Sequence, residues 1–214
     1  MNTTGSKRLP HEIEQESFAI LTRELGDRQF VPEQEPIIKR VIHTTADFEY
    51  ADSLYFSPGV VEAAQAALMA GATIVTDTQM ARSGINKKAA AALGCQVLCY
   101  MDDEEVARTA KAQGSTRAVA AVDKAAALEG PLIFAVGNAP TALLQICHLV
   151  QQQRLRPRLV IGVPVGFVNV VESKELLIQS GIPCIVARGR KGGSNVAAAI
   201  CNALLYQLGT RPAL

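Results

Sequence analysis

The chain has 214 residues, enough for one domain that buries a core without disulfide or metal support. Apolar residues make up 49% and charged residues 19%, the balance of a folded protein, and the formal net charge of +1 argues against a general nucleic-acid binder. There is no apolar run of about 18 residues and no apolar signal-peptide core, so we expect no membrane span and a cytoplasmic location.

The N-terminal part of the chain is predicted to be helical. Residues 1–10 have the composition of a disordered tail. Apolar residues at helical spacing from Ile13 to Leu25 predict a first helix. A second helix is expected to begin near Pro32, because proline suits the first helical turn, and His43 stands at its end. A Ser-Pro-Gly turn then opens a third helix.

From the third helix onward, short apolar runs alternate with helical stretches. The runs that predict strands are Thr73–Thr76, Gln96–Tyr100, Leu132–Val136, Leu159–Val163 and Cys184–Ala187. Continuously apolar strands separated by helices indicate a parallel sheet that is covered on both faces. We therefore predict a doubly wound α/β fold over residues 11–214, a single domain. Its sheet is expected to be mainly five-stranded and parallel, flanked by helices and preceded by the N-terminal helices.

Polar and glycine-rich loops follow four of these strands, where ligands bind in doubly wound sheets. The loops cover residues 76–84, 137–141, 162–169 and 188–195. Glycine lets backbone N–H groups approach a ligand, and Arg188, Arg190 and Lys191 add positive charge. Together the loops favour a broad ligand with several carboxylates, although a glycine-rich turn alone is more often ordinary loop geometry.

The chain lacks the motifs of the common cofactor and metal enzymes. It has no G-x-G-x-x-G or G-K-[ST] loop, no H-E-x-x-H or G-x-S-x-G, and no metal-ligand spacing of cysteine and histidine. We therefore expect no cofactor and no protein-bound metal. A nucleotide-dependent α/β oxidoreductase is the less favoured alternative.

His43 is the strongest candidate for chemistry among the three histidines. The helix dipole at its position favours the protonated form, which suits a proton donor, but simple capping of the helix fits equally well. His148 lies in a helix that is apolar nearly all round, which favours a core or packing role. Arg117 could form an ion pair with a carboxylate, or it could be a surface residue at the start of a helix with no binding role. The residues alone indicate an α/β enzyme or binder for an anionic small molecule.

Five segments resemble one family, the precorrin-8X methylmutases, also called cobalt-precorrin-8 methylmutases. They occur in the family's order: Ser17–Ile20, Arg40–Phe48, Gly137–Leu143, Gly162–Val168 with the following Glu172–Lys174, and Arg188–Ser194. The stretches G-N-A-P-T-A-L and G-x-P-V-G-F-V are the most specific. The resemblance runs from about Ile13 to Leu208. One departure is Ala46, which stands where many relatives have glycine.

The resemblance implies an isomerase of cobalamin biosynthesis. Such an enzyme moves the methyl group on C11 of precorrin-8X, or of cobalt-precorrin-8, to C12 and gives hydrogenobyrinate or cobyrinate. The resemblance implies that His43 is the general acid, which protonates the macrocycle and assists a sigmatropic shift. It implies substrate binding by Ser17, Arg117, Asn138, Arg188, Arg190, Gly192, Gly193 and Ser194. An intramolecular shift needs no methyl donor, nicotinamide or metal held by protein.

The resemblance also implies a homodimer, with possible handover of product to neighbouring enzymes of the corrin pathway. The residues leave open whether the natural substrate contains cobalt. The main alternative is a non-catalytic corrinoid carrier, in which His43 only hydrogen-bonds the bound ring.

Overall fold

The computed structural model describes residues 9–209. The helices are α1 Pro10–Leu25, α2 Glu35–Thr45, α3 Tyr50–Ser53, α4 Val60–Met69, α5 Gln79–Gly84, α6 Lys87–Ala92, α7 Glu104–Ala112, α8 Arg117–Ala126, α9 Pro140–Gln151, α10 Val170–Gln179 and α11 Ser194–Gln207. The strands are β1 Leu54–Phe56, β2 Thr73–Thr76, β3 Gln96–Cys99, β4 Leu132–Val136, β5 Leu159–Gly162 and β6 Cys184–Ala187.

The sheet confirms the predicted architecture and adds one strand. Its order is β1-β6-β5-β4-β2-β3, and the five predicted strands are all parallel to one another. The sixth strand, β1, pairs antiparallel with β6 at the edge. It has only three residues, all half-buried, so it lacks the continuous apolar run by which the other strands were predicted.

Side chains alternate along the strands and build a core on each face of the sheet. On β4, Ile133 and Ala135 join a core with α2, α4 and α11. Phe134 and Val136 of the same strand point to the opposite core with α8, α9 and α10. Alternation of this kind follows from the two-residue period of a strand, and it explains why β4 is buried throughout.

The N-terminal helices differ from the prediction at their first residues. Helix α1 already begins at Pro10, the last residue of the predicted tail, and the rest of that tail up to residue 8 lies outside the described residues. Helix α2 begins at Glu35 rather than near Pro32, with Pro36 as its second residue. Within residues 9–209, no helix combines the length and the apolar character that crossing a membrane requires.

The strand order reverses between β2 and β4. The chain runs from β2 outward to β3 on one side, and through β4, β5 and β6 on the other. Loops that leave adjacent strands in opposite directions open a crevice at such a switch point, and ligands bind there in doubly wound folds. The loops after β2, β4, β5 and β6 therefore define the edge on which the site is built.

Candidate functional site

His43 lies in the last turn of α2, as predicted, and is half-buried. Residues after it close the helix: the Thr44 hydroxyl donates to Arg40 O, the Thr45 hydroxyl to Val41 O, and the Ala46 N–H to Ile42 O at 2.7 Å. The last turn of α2 is therefore closed by the Thr44 and Thr45 hydroxyls and by the Ala46 N–H, all of which come after His43 in the chain.

Ala46 adopts a left-handed conformation, with φ 54° and ψ 27°. A Cβ atom is disfavoured there by about 1–2 kcal/mol, whereas glycine is not. Ala46 nevertheless adopts this conformation, and its N–H closes the helix on Ile42 O.

The His43 ring is held by an aromatic partner on α1. Phe18 stacks on it with ring centroids 4.8 Å apart and planes 8° from parallel. The guanidinium of Arg40 lies 4.7 Å from the Phe18 centroid, and Arg40 is paired with Glu14 at 2.7 Å. Ser17, the predicted substrate ligand, directly precedes Phe18 on the same helix and is half-buried. Stacking therefore fixes the orientation of the imidazole and brings α1 into the site.

An ion-pair bridge joins the segment after His43 to the loop after β6. Lys191 Nζ lies 2.6 Å from Asp47 and 2.7 Å from Glu49. Hydrogen bonds to these two carboxylates raise the pKa of Lys191, and the lysine in turn lowers the pKa of Asp47. The bridge places the predicted acid and the predicted substrate-binding loop on one side of the molecule.

Asp77 fixes the turn that carries Asn138. It follows β2 directly, and its buried carboxylate accepts from the N–H groups of Gly137 at 2.9 Å and of Asn138 and Ala139 at 2.7 Å. Burial raises the pKa of Asp77, while the three N–H donors act in the opposite direction. The carboxylate spans the switch point between β2 and β4 and leaves the Asn138 side chain exposed.

The loops after β4 and β6 are in close contact at Gly137, which has no Cβ atom. A Cβ on Gly137 would lie 2.7 Å from Ser194 Cα and 2.8 Å from Gly193 O. The Ser194 hydroxyl is 2.7 Å from the Thr78 hydroxyl, which caps α5. Three loops of the carboxyl edge thus meet at Ser194, a predicted binding residue.

Arg117 is the first residue of α8, and its side chain is exposed. The neighbouring Thr116 hydroxyl lies 3.1 Å from the Thr141 hydroxyl on α9, next to the Asn138 turn. The structure therefore places Arg117 at the same edge as Asn138. No acidic side chain among residues 9–209 forms an ion pair with it.

The two arginines after β6 differ in their surroundings. Arg188 pairs with Glu175 at 3.4 Å and lies over Tyr55 at 5.3 Å. Arg190 lies 5.5 Å from the ring centroid of Phe167, which is 82% exposed, and pairs with no carboxylate of the described residues. The edge therefore offers an unpaired guanidinium beside an exposed aromatic ring, a combination suited to an anionic ring system.

Sequence reasoning missed three residues that build this site. Phe18 lies in the family-like segment Ser17–Ile20, but no role was predicted for it. Asp77 directly follows a buried strand, a position typical of a residue that binds a ligand or supports a neighbouring loop. Lys174 lies on α10 at a spacing otherwise occupied by buried residues, Val170, Ser173 and Leu177. A lysine on the inner face of a helix is unusual enough to be noticed, but its partner is set by the tertiary fold.

His148 corrects the expectation of a core role. It is exposed on α9, and its Nε2 lies 2.9 Å from the Gln152 amide nitrogen. The helix buries the neighbouring Cys147 and Leu149 instead. Across residues 9–209, no cluster of three or more histidine, cysteine, aspartate or glutamate side chains is arranged to hold a metal ion.

Comparison with known proteins identifies the family. The family model of precorrin-8X methylmutase (CbiC) matches residues 12–207. The chain is 50% identical to the cobalt-precorrin-8 methylmutase of Salmonella typhimurium, over 93% of this chain and 96% of the relative. It is 42% identical to that of Leptospira interrogans, with 92% and 93% covered.

A solved structure agrees in both fold and sequence. The crystal structure of precorrin-8x methyl mutase from Thermus thermophilus superposes with a TM-score of 0.84 and 43% identity, covering 94% of this chain and 96% of that one. The chain belongs to the precorrin-8X methylmutase family and is an isomerase.

Proposed function

We propose that the chain moves the C11 methyl group of precorrin-8X, or of cobalt-precorrin-8, to C12 in cobalamin biosynthesis. One observation carries the proposal: the Lys191 bridge joins the end of α2, which bears His43, to the loop predicted to bind substrate. Relatives named for each form of the substrate are similar over most of the chain, so both forms are included.

His43 is the proposed general acid. Proton donation to the macrocycle weakens the bonding around the migrating methyl group, and a positioned acid accelerates such steps by about 10²–10⁴-fold. Substrate and product are isomers, so the donated proton is balanced by loss of another from the ring. Stacking on Phe18 supports the role, because an acid must be held in one orientation toward the atom that it protonates.

The proposed substrate contacts come from α1, the start of α8 and the loops after β4 and β6. Arg117 and Arg190, which form no ion pairs within the described part of the chain, would take peripheral carboxylates, as charge-assisted hydrogen bonds favour. Arg188 is shared with Glu175 and would contribute less. Ser17, Asn138, Gly192, Gly193 and Ser194 would supply hydroxyl, amide and backbone contacts. Such positioning, with no cofactor, is the main contribution that the reaction requires.

The remaining parts of the proposal concern the cell and the assembly. We place the enzyme in the cytoplasm as a homodimer that hands its product to neighbouring enzymes of the pathway. The exposed apolar loop with Phe167 and Val168, 82% and 77% exposed, supports a contact surface beside the site.

A turnover experiment tests the function against the carrier alternative. Purified protein is mixed with a tenfold excess of precorrin-8X or cobalt-precorrin-8, without cofactor, and the absorption spectrum is followed. Conversion of the whole excess to the product chromophore is expected with at least one form. A change that stops at one equivalent would show a carrier, and no change with either form would contradict the function.

A further inference from the structure

Lys174 is a buried cation that the proposed chemistry does not use. Its side chain is fully buried on α10, and no carboxylate of the described residues pairs with it. Its Nζ donates instead to two carbonyl oxygens of the loop after β6, those of Gly189 and Lys191, each at 2.8 Å. Burying an ammonium group is costly, so a lysine at this position calls for a reason beyond packing.

Three successive carbonyl groups of the loop, those of Gly189, Arg190 and Lys191, accept hydrogen bonds from α10 and from the loop after β5. Lys174 holds the carbonyls of Gly189 and Lys191, and the Gly166 N–H donates to the carbonyl of Arg190 at 3.2 Å. The loop has no cis peptide bond. In a planar trans peptide the C=O and the N–H point in opposite directions. The N–H groups of Arg190, Lys191 and Gly192 therefore point away from the groups that donate to these carbonyls.

These three N–H groups, like that of Gly189, have no acceptor among residues 9–209, whereas the N–H groups at the two ends of the loop do. Arg188 N donates to Ser53 O and Gly193 N to Val163 O, both at 2.8 Å. Successive backbone N–H groups without an acceptor are the donors from which anion-binding concavities are built. The fully buried ammonium of Lys174 lies behind the same peptide groups and adds positive potential. Burial lowers the pKa of Lys174 to about 8, and its Nζ donates both of its hydrogen bonds to carbonyl oxygens.

We propose that Lys174 is a positioning residue, which orients the peptide groups of residues 189–192 into a site for a carboxylate of the substrate. The carboxylate is the part of the inference that rests on the proposed function. The orientation of the loop does not depend on it. Lys174 touches no substrate in this account and acts only through the loop.

The test uses ¹⁵N-labelled full-length protein titrated with sodium sulfate at constant ionic strength. In the wild type, the amide signals of Arg190, Lys191 and Gly192 are expected to shift in a saturable manner. Lys174→Met keeps the buried apolar stem but removes both hydrogen bonds, and is expected to weaken sulfate binding by at least about tenfold. Ser173→Ala is the matched control, because this buried hydroxyl donates only to Val170 O within α10.

Steady-state kinetics with precorrin-8X distinguish a positioning role of Lys174 from a role in stability alone. Lys174→Met is expected to raise KM by about tenfold and to change kcat by less than about threefold. A purely structural role would lower the amount of active protein and leave KM unchanged, which would overturn the proposal. Absence of amide shifts in the wild type would also overturn it, even if Lys174→Met failed to fold. Failure of the wild type to convert precorrin-8X would reject only the function, since the sulfate titration needs no turnover.

Discussion

Replacing His43 with glutamine is expected to lower kcat by about 10²–10⁴-fold, because glutamine keeps a polar side chain but cannot donate an acidic proton. Affinity for the substrate is expected to change by less than about threefold, since the proposed carboxylate contacts lie on other residues. Loss of the stack on Phe18 costs about 1 kcal/mol, which leaves the fold intact. The measurement is steady-state turnover of precorrin-8X together with a binding titration.

His148→Gln is the matched control for this variant. It makes the same chemical change at an exposed histidine of α9, whose hydrogen bond is to Gln152. We expect wild-type kcat and affinity. If His43→Gln retained kcat within about threefold of the wild type, the general-acid role of His43 would be rejected.

Replacing Asp77 with alanine is expected to lower the free energy of unfolding by about 3–5 kcal/mol. The carboxylate is the acceptor for the three N–H groups of residues 137–139, and alanine leaves all of them without it. Asp77→Asn keeps one oxygen and is expected to lose roughly half as much. Urea unfolding of the variants gives the difference directly.

An exposed aspartate provides the comparison for Asp77. Asp52 pairs with Arg28 at 2.8 Å, but both side chains are largely in solvent. Asp52→Ala is therefore expected to cost less than about 0.5 kcal/mol. A loss below about 1 kcal/mol for Asp77→Ala would contradict its role as the strut of the Asn138 turn.

The sequence predicted the parallel strands because each is a continuous apolar run, a local feature that needs no knowledge of its partners. The edge strand β1 escaped prediction because its three residues are half-buried and take their order from pairing with β6. Helix α5 was missed for a related reason: its start depends on the Thr78 hydroxyl, which accepts from Ala81 N. Such short elements are determined by a few specific hydrogen bonds rather than by a long run of residues.

Part of the site could be predicted, because that part also depends on local features of the sequence. His43 and the glycine-rich loops lie where helix and strand ends were expected, and the structure brings His43 and residues 188–194 to one side. Their linkage could not be predicted, because Lys191 and Asp47 are 144 positions apart in the chain. The Asp77 contacts span about sixty positions, from Asp77 to Gly137. Such pairs form only once the sheet order is set.

The position of the methyl group in the product distinguishes a C11-to-C12 shift from any other reaction of precorrin-8X. Precorrin-8X carrying ¹³C in its C11 methyl group is incubated with the purified protein in the absence of any cofactor, and the product is examined by NMR. We expect the labelled methyl group on C12. A label that stays on C11, or that is absent from the product, would contradict it.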